Sequence, residues 1–94
     1  MVAPVLHKVV QGETLEFELR YVGEDLTNAT PRAEVSAGMS SGAFTLTKPE
    51  TDTVLVVAST AAFSAGTHQL QVWLDWADGT KEAVENLVHV TAAI

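Results

Sequence analysis

The sequence contains no cysteine, few aromatic side chains and little positive charge. Without cysteine, neither a disulfide framework nor a thiolate metal site can form, so side-chain packing must supply the stability. Five Lys and Arg residues stand against twelve Asp and Glu residues, which gives a net charge of −7 at pH 7. Nucleic acids and anionic membrane surfaces are bound by basic surfaces, so we expect neither of them as a partner.

Long apolar segments are also missing. No stretch approaches the length needed to cross a membrane, and residues 1–4 lack the basic and apolar parts of an export signal. We therefore expect the protein to be made and kept in a cytoplasm, unless it is exported as part of a larger particle. The 94 residues suit one domain, which we place at 1–94, and 47% hydrophobic residues suffice for one packed core.

Apolar and polar residues alternate along most of the chain, which is typical of strands with one buried face. Between Glu13 and Val22, for example, the side chains of Leu15, Phe17 and Leu19 share one face and charged side chains share the other. Glycine, proline and Asp-Gly turn signals separate such segments. Seven strands are predicted, at 5–10, 13–22, 32–37, 43–47, 53–58, 67–76 and 81–91.

The connections complete the predicted fold. Residues 48–50 are predicted to form a turn because of Pro49, and the segment 59–66 is predicted to form one helical turn with Phe63 closing the end of the core. Many short strands with frequent turns in a chain of this length indicate two packed sheets. The predicted fold class is all-β, an immunoglobulin-like antiparallel β-sandwich of about seven strands with one short helical turn.

Three segments carry a family resemblance: GETLEF at 12–17, DLTNA at 25–29, and FSAGTH at 63–68, which is followed by an alternating strand and Ala-Asp-Gly at 77–79. Their order and spacing resemble the bacteriophage immunoglobulin-like structural domains found at the N-terminus of baseplate upper proteins and in related small head and tail proteins. Asn28 stands where that family usually has glycine, and His68 stands where an aromatic residue is common. The resemblance implies a virion protein that acts through assembly contacts.

Candidate catalytic and metal-binding residues are scarce. The three histidines, His7, His68 and His89, lie on different predicted strands, and a zinc site would need a closely spaced pair or a nearby carboxylate. His68 and His89 approach one another across the last hairpin in some registers and not in others. Glu16 and Glu18 alternate with core residues, as on a solvated sheet face. We therefore predict no catalytic residue, no metal site, no cofactor and no enzymatic activity.

The strand at 67–76 offers two faces to the core. One face is wholly apolar, whereas the other would bury two amides and a carboxylate, so burying the apolar face costs less free energy. Trp73 is then left on the outer face. Two interpretations stay open for it, an exposed interface anchor or a side chain covered by its neighbours. The apolar face consists of Leu70, Val72, Leu74 and Trp76, and the polar face of Gln69, Gln71, Trp73 and Asp75.

The last strand breaks its own alternation, since Asn86 interrupts the face that carries Val84, Val88 and Val90, and Leu87 falls on the opposite face. A bulge near Glu85 and Asn86 would reconcile the two halves and leave an irregular patch beside Trp73. We predict that a partner docks on this patch. The interface candidates are Trp73, Gln71, Gln69, Leu87 and His89.

The resulting hypothesis is a non-enzymatic bacteriophage virion structural protein, either a capsid decoration or head fibre protein or a tail or baseplate component. Its expected partners are other virion proteins and a second copy of itself, reached through sheet faces, strand edges and the termini at 1–4 and 90–94. The alternative is a carbohydrate-binding module, with Trp73 or Trp76 as the stacking platform, or an adhesion module. Sugar sites usually need several coplanar exposed aromatics, and the sequence places one outside.

Overall fold

The computed structural model describes residues 5–93, which form seven strands and one 3-10 turn. The predicted docking arm at 1–4 and Ile94 at the end of the other predicted arm lie outside the described residues. No helix within residues 5–93 is long and apolar enough to span a membrane. The strands are β1 (Val5–Val10), β2 (Thr14–Arg20), β3 (Ala29–Val35), β4 (Phe44–Glu50), β5 (Thr53–Ser59), β6 (Gly66–Trp76) and β7 (Lys81–Thr91), and the 3-10 turn is Ser41–Ala43.

The strands form two facing sheets, one with the order β1-β7-β6-β3 and one with the order β2-β5-β4. Neighbouring strands are antiparallel except β1 and β7, which pair in parallel. This is the immunoglobulin-like order of two antiparallel sheets, here with β1 paired along the outer edge of β7. The predicted all-β sandwich of seven strands is therefore confirmed, and β5 occupies the central position that its apolar run favours.

The core lies between the two sheets. Leu70, Val72 and Leu74 of β6 are completely buried and face Val54 and Val56 of β5 in the opposite sheet. Burial of each such side chain contributes on the order of 1.5–3 kcal/mol. The predicted inner face of β6 is thus confirmed. The prediction that Phe63, in the connection between β5 and β6, closes one end of the core is confirmed as well. The remaining buried apolar residues are Val9, Leu15, Leu26, Ala29, Ala58, Phe63, Val88 and Val90.

Three local predictions were wrong. The strand predicted at 32–37 is β3, which begins earlier, at Ala29, and contains Pro31. The proline fits because β3 is an edge strand, where a missing amide hydrogen is tolerated. The predicted turn at 48–50 is part of β4, and the pairing of β4 with β5 shifts register between Thr47 and Glu50, where Pro49 interrupts the ladder. The segment 59–66 contains no helical turn, and the 3-10 turn lies before β4 instead.

The predicted bulge in β7 was also wrong, because β6 and β7 pair in one continuous register from Gly66 opposite Val90 to Asp75 opposite Lys81. Asn86 is buried on the core face. His7 of β1 donates a hydrogen bond from Nε2 to Asn86 Oδ1 at 3.0 Å, and the His7 ring stacks on Phe17 across the sandwich. A buried amide with a hydrogen-bond partner is tolerated in a core, so the alternation needs no correction there.

His68 holds the corner where the chain enters β6. Its ring is buried, and Nε2 donates to the carbonyl oxygen of Ser64 at 2.7 Å. In immunoglobulin domains a tyrosine near the start of the equivalent strand makes such a bond to the backbone upstream. His68 faces the core and His89 faces outward, opposite Thr67, so the two imidazoles do not meet. The histidine pair left open by the sequence is not formed.

Gly38 packs against this corner, and a side chain there would collide with it. A Cβ at Gly38 would lie 2.5 Å from His68 Cε1 and 2.5 Å from Ser64 Oγ, and its φ is +97°. We expect Gly38→Ala to lower the free energy of unfolding clearly more than Gly23→Ala, which shares a positive φ of +80° but has open space around it. Backbone strain alone costs about 1–3 kcal/mol at either site. Urea unfolding of both variants checks this, and equal losses would contradict the steric role of the corner.

Candidate interaction surface

The outer face of the β1-β7-β6-β3 sheet carries all five interface candidates. Because the register of β6 and β7 is continuous, Gln69 lies opposite Leu87, and His89 lies opposite Thr67 on the same face. Gln71 and Trp73 follow along β6. Regular alternation, without the predicted bulge or an irregular patch, therefore places the candidates on one face, and their role in docking stays a prediction.

Trp73 is half-buried, so of the two open interpretations the structure supports the covered side chain. The guanidinium carbon of Arg32, on the neighbouring β3 strand, lies 4.9 Å from the centroid of its ring. A cation over an aromatic face is attracted to it, and this contact covers the face. Arg32 is held in place by Asp75, whose Oδ2 accepts a hydrogen bond from Arg32 Nε at 2.7 Å, and by Glu34 at 3.4 Å. Trp73 is thus built into a charged cluster and does not protrude.

An apolar patch lies at the other end of the same face. Leu6 and Val10 of β1 are 48% and 42% exposed, and Leu6 lies directly beside the half-buried Leu87 in the parallel pairing of β1 with β7. Lys8 and His89 lie opposite one another between them. We call Leu6, Val10 and Leu87, together with Lys8 and His89 between them, the β1–β7 patch. Exposed aliphatic side chains on a sheet face are typical of a protein contact surface.

The surface of the described residues also has two shallow depressions. The one on the outer face has a volume of about 160 Å³ and is lined by Glu34, Val35, Ser36, Gln69 and Gln71. The other, of about 310 Å³, lies beside β4, where the ammonium of Lys48 donates to the carbonyl oxygens of Leu26 and Ala29 at 3.0 and 2.7 Å. Both are open and lack the enclosed apolar walls of a small-molecule site.

The geometry brings no catalytic or metal-ligating groups together in the part of the chain that the structure describes. Within residues 5–93 no group of three or more His, Asp or Glu could hold a metal ion. His68 and His7 are engaged in the structural hydrogen bonds described above, and Glu16 and Glu18 lie exposed on the outer face of β2.

Sequence reasoning missed Leu6 and Val10 as surface residues. The pattern VLHKVV of β1 is nearly continuous in apolar residues, so it does not show which face is buried. Lys8 is the signal that could have identified them. Leu6, Lys8 and Val10 are alternate residues and share one face of the strand, and the charged Lys8 marks that face as the outward one. It also missed Arg32, whose contact with Trp73 depends on the register of β3 against β6.

Neither a protein-family model nor a curated protein matches the sequence. Solved structures resemble the fold. The endo-fucoidan hydrolase MfFcnA4, from glycoside hydrolase family 107, superposes with a TM-score of 0.59 at 13% identity over 95% of this chain and 13% of the hydrolase. A tandem pair of immunoglobulin domains of titin gives a TM-score of 0.59 at 15% identity, over 95% of this chain and 45% of the titin chain. At these identities the likeness shows the immunoglobulin-like fold alone.

The charged cluster around Trp73 makes stability depend on pH. The hydrogen bond from Arg32 holds the pKa of Asp75 below its usual range, against the opposing effect of partial burial, and the charges of Arg32 and Lys81 add to the lowering. A carboxyl group with a lowered folded-state pKa stabilises the fold above its unfolded pKa of about 3.9, and this contribution is lost as the pH falls through the folded value.

We therefore expect Asp75→Asn to lower the free energy of unfolding at pH 7, with a loss that shrinks as the pH is lowered below about 4. Denaturant unfolding of the native protein and the variant across this range checks the expectation. As a control, an NMR titration of Arg32→Gln should show the pKa of Asp75 moving up towards its ordinary value. A loss that is the same at pH 7 and pH 2 would contradict the ion-pair role.

Proposed function

We propose that this chain is a non-enzymatic immunoglobulin-like assembly module and that it serves as a structural protein of a bacteriophage virion. The observation that carries the assembly role is the β1–β7 patch, where the exposed Leu6 lies beside Leu87 and the exposed Val10 lies further along the same open sheet face. Burial of such side chains by a partner supplies a favourable hydrophobic free energy of association. The virion role is supported by the resemblance of the segments 12–17, 25–29 and 63–68 to phage structural domains.

The described surface favours a protein partner over a sugar. Carbohydrate rings stack on free aromatic faces, and the face of Trp73 beneath Arg32 is covered. Trp76 packs against the core, and its indole nitrogen donates to Glu82 Oε1 at 2.9 Å. The proposed partners are therefore other virion proteins, in a capsid decoration or head fibre or in a tail or baseplate, and we propose the virion as its location.

The charge of the chain agrees with such a role. With a net charge of −7, copies repel one another at long range and stay dispersed until a specific contact forms. The outer face of the β1-β7-β6-β3 sheet is less acidic than the chain as a whole, because it holds Lys8, Arg32 and Lys81 among its acidic residues. A partner can thus approach this face with less repulsion than elsewhere.

The test is incorporation into particles assembled from the genome that encodes the chain. We expect purified particles to contain the protein in a fixed copy number, measured by quantitative mass spectrometry. Leu87→Glu should reduce its incorporation at least tenfold, because the partner would have to cover a carboxylate, whose desolvation costs free energy, in place of an apolar side chain. Thr45→Glu adds the same charge to an exposed site of β4 on the opposite sheet and serves as the matched control.

Both variants should keep the unfolding midpoint of the native protein within a few degrees, which separates lost docking from lost folding. Purified particles without the chain would overturn the virion role. Equal incorporation of Leu87→Glu and Thr45→Glu would overturn the docking role of the β1–β7 patch.

A further inference from the structure

The free edge of β1 presents a short set of unpaired backbone groups. Gln11 N donates to Thr91 O at 2.8 Å, so the backbone groups of the odd-numbered residues in this segment point towards β7. In a strand of a parallel pair, each residue directs its N–H and C=O groups to the same side, and successive residues alternate between the two sides. Leu6, Lys8 and Val10 therefore direct theirs away from β7, towards the open edge.

One end of this edge is closed by the chain itself. Val10 N donates to Glu13 Oε1 at 3.1 Å, and Val10 O accepts a hydrogen bond from Glu13 N at 2.9 Å. Thr60 Oγ1 also lies 3.4 Å from Val10 O. Among the described residues of β1, the backbone donors and acceptors left for a partner strand are consequently those of Leu6 and Lys8.

The other sheet edges carry features that oppose pairing with another chain. β3 contains Pro31, and β4 contains Pro49 at an irregularity of its ladder. β2 places Glu16 and Glu18 beside its edge. Proline, bulges and charged side chains are the usual means by which proteins protect exposed edges. β1 has neither proline nor carboxylate. Its one charged side chain, Lys8, is a cation, so in a chain with a net charge of −7 it is the edge at which two copies repel least.

We propose that two copies of this chain pair antiparallel along β1, about a two-fold axis at His7, and join their four-stranded sheets into one sheet of eight strands. Leu6 of each copy then lies opposite Lys8 of the second copy, and the two residues exchange both of their backbone hydrogen bonds. The pairing uses a strand edge and not the outer face, so it stands independently of the proposed virion role.

The register follows from the two open residues. In an antiparallel ladder, directly opposite residues point to the same face, so even-numbered residues must face even-numbered ones. An axis at Lys8 would oppose two ammonium groups and would require the backbone of Val10, which Glu13 occupies. An axis at His7 avoids both and uses the free groups of Leu6 and Lys8, which gives four intermolecular backbone hydrogen bonds.

The contact is small. A short strand pair buries less than the roughly 1,200 Å² of a stable interface, so the isolated dimer should be weak and should depend on concentration. On the outer face it places Leu6 of each copy beside the aliphatic stem of Lys8 of the other. The two β1–β7 patches then become one continuous surface across the dimer axis.

The first test exploits the pairing of position 6 with Lys8. Leu6→Glu places a carboxylate opposite the ammonium of the second copy at two symmetric sites, whereas Leu6→Lys places two like charges there. We expect the dimer association constant of Leu6→Glu to exceed that of Leu6→Lys roughly tenfold, from the usual strength of cross-strand charge pairs. Sedimentation velocity at increasing protein concentration measures it.

Both variants remove the same apolar side chain. Overall charge alone would favour dimerisation of the Lys variant, because the Glu variant is more negative and its copies repel one another more strongly. Equal association constants, or a tighter Lys variant, would overturn the proposed register. Thermal unfolding shows whether both variants remain folded, which the exposure of Leu6 leads us to expect.

The second test is disulfide trapping, for which the absence of native cysteine is convenient. Leu6→Cys and Lys8→Cys are oxidised separately and as a mixture, with the exposed Thr45→Cys as the control. Opposite residues in a hydrogen-bonded pair have Cα atoms about 5.5 Å apart, within the range for a disulfide. We expect the mixed dimer to form several-fold faster than any dimer of one variant. Faster trapping of Lys8→Cys with itself, or rates no higher than those of the control, would overturn the proposal.

Discussion

Burial of the inner face of β6 is the constraint on which the rest of the structure depends. Leu70, Val72 and Leu74 are completely buried between the two sheets, and a slip of one residue would turn the outer face of β6, with two amides, an indole and a carboxylate, towards the core. Because β6 pairs with β7 on one side and β3 on the other, its alternation also determines which side chains of those strands face outward. The candidate surface is thus a direct consequence of how the core is packed.

Much of the fold could be predicted because its signals are local. The bounds of β1 and β7 agree with the sequence-based prediction, and the five interface candidates share one face as expected. Asn86 was misinterpreted because its partner, His7, lies 79 residues away in the sequence and becomes visible only once β1 pairs with β7. The cover over Trp73 likewise needs Arg32 from β3. Local alternation gives the face of a residue, whereas long-range register decides whether that residue is covered.

Hydrogen bonds between connections provide cross-links in a chain that has no disulfide. The hydroxyl of the buried Thr60 accepts from Gly12 N at 2.9 Å and donates to Glu13 O at 2.6 Å, and Gln11 Nε2 donates to Phe63 O at 2.6 Å. With the His68 corner, these bonds tie the turn between β1 and β2 to the connection between β5 and β6. Buried polar groups that are fully paired in this way specify one arrangement of these connections around the core.

The same turn also limits what the β1 edge can bind. Because Glu13 closes the backbone of Val10, the part of the open edge that lies within residues 5–93 is reduced to Leu6 and Lys8. In the proposed dimer, two copies paired about His7 would satisfy each other's open groups at Leu6 and Lys8, and the protected edges of β2, β3 and β4 would oppose further addition. A two-fold contact of this kind closes on itself, unlike a head-to-tail contact, which propagates. The proposed pairing, weak and closed on itself, would let an acidic protein associate reversibly without forming filaments.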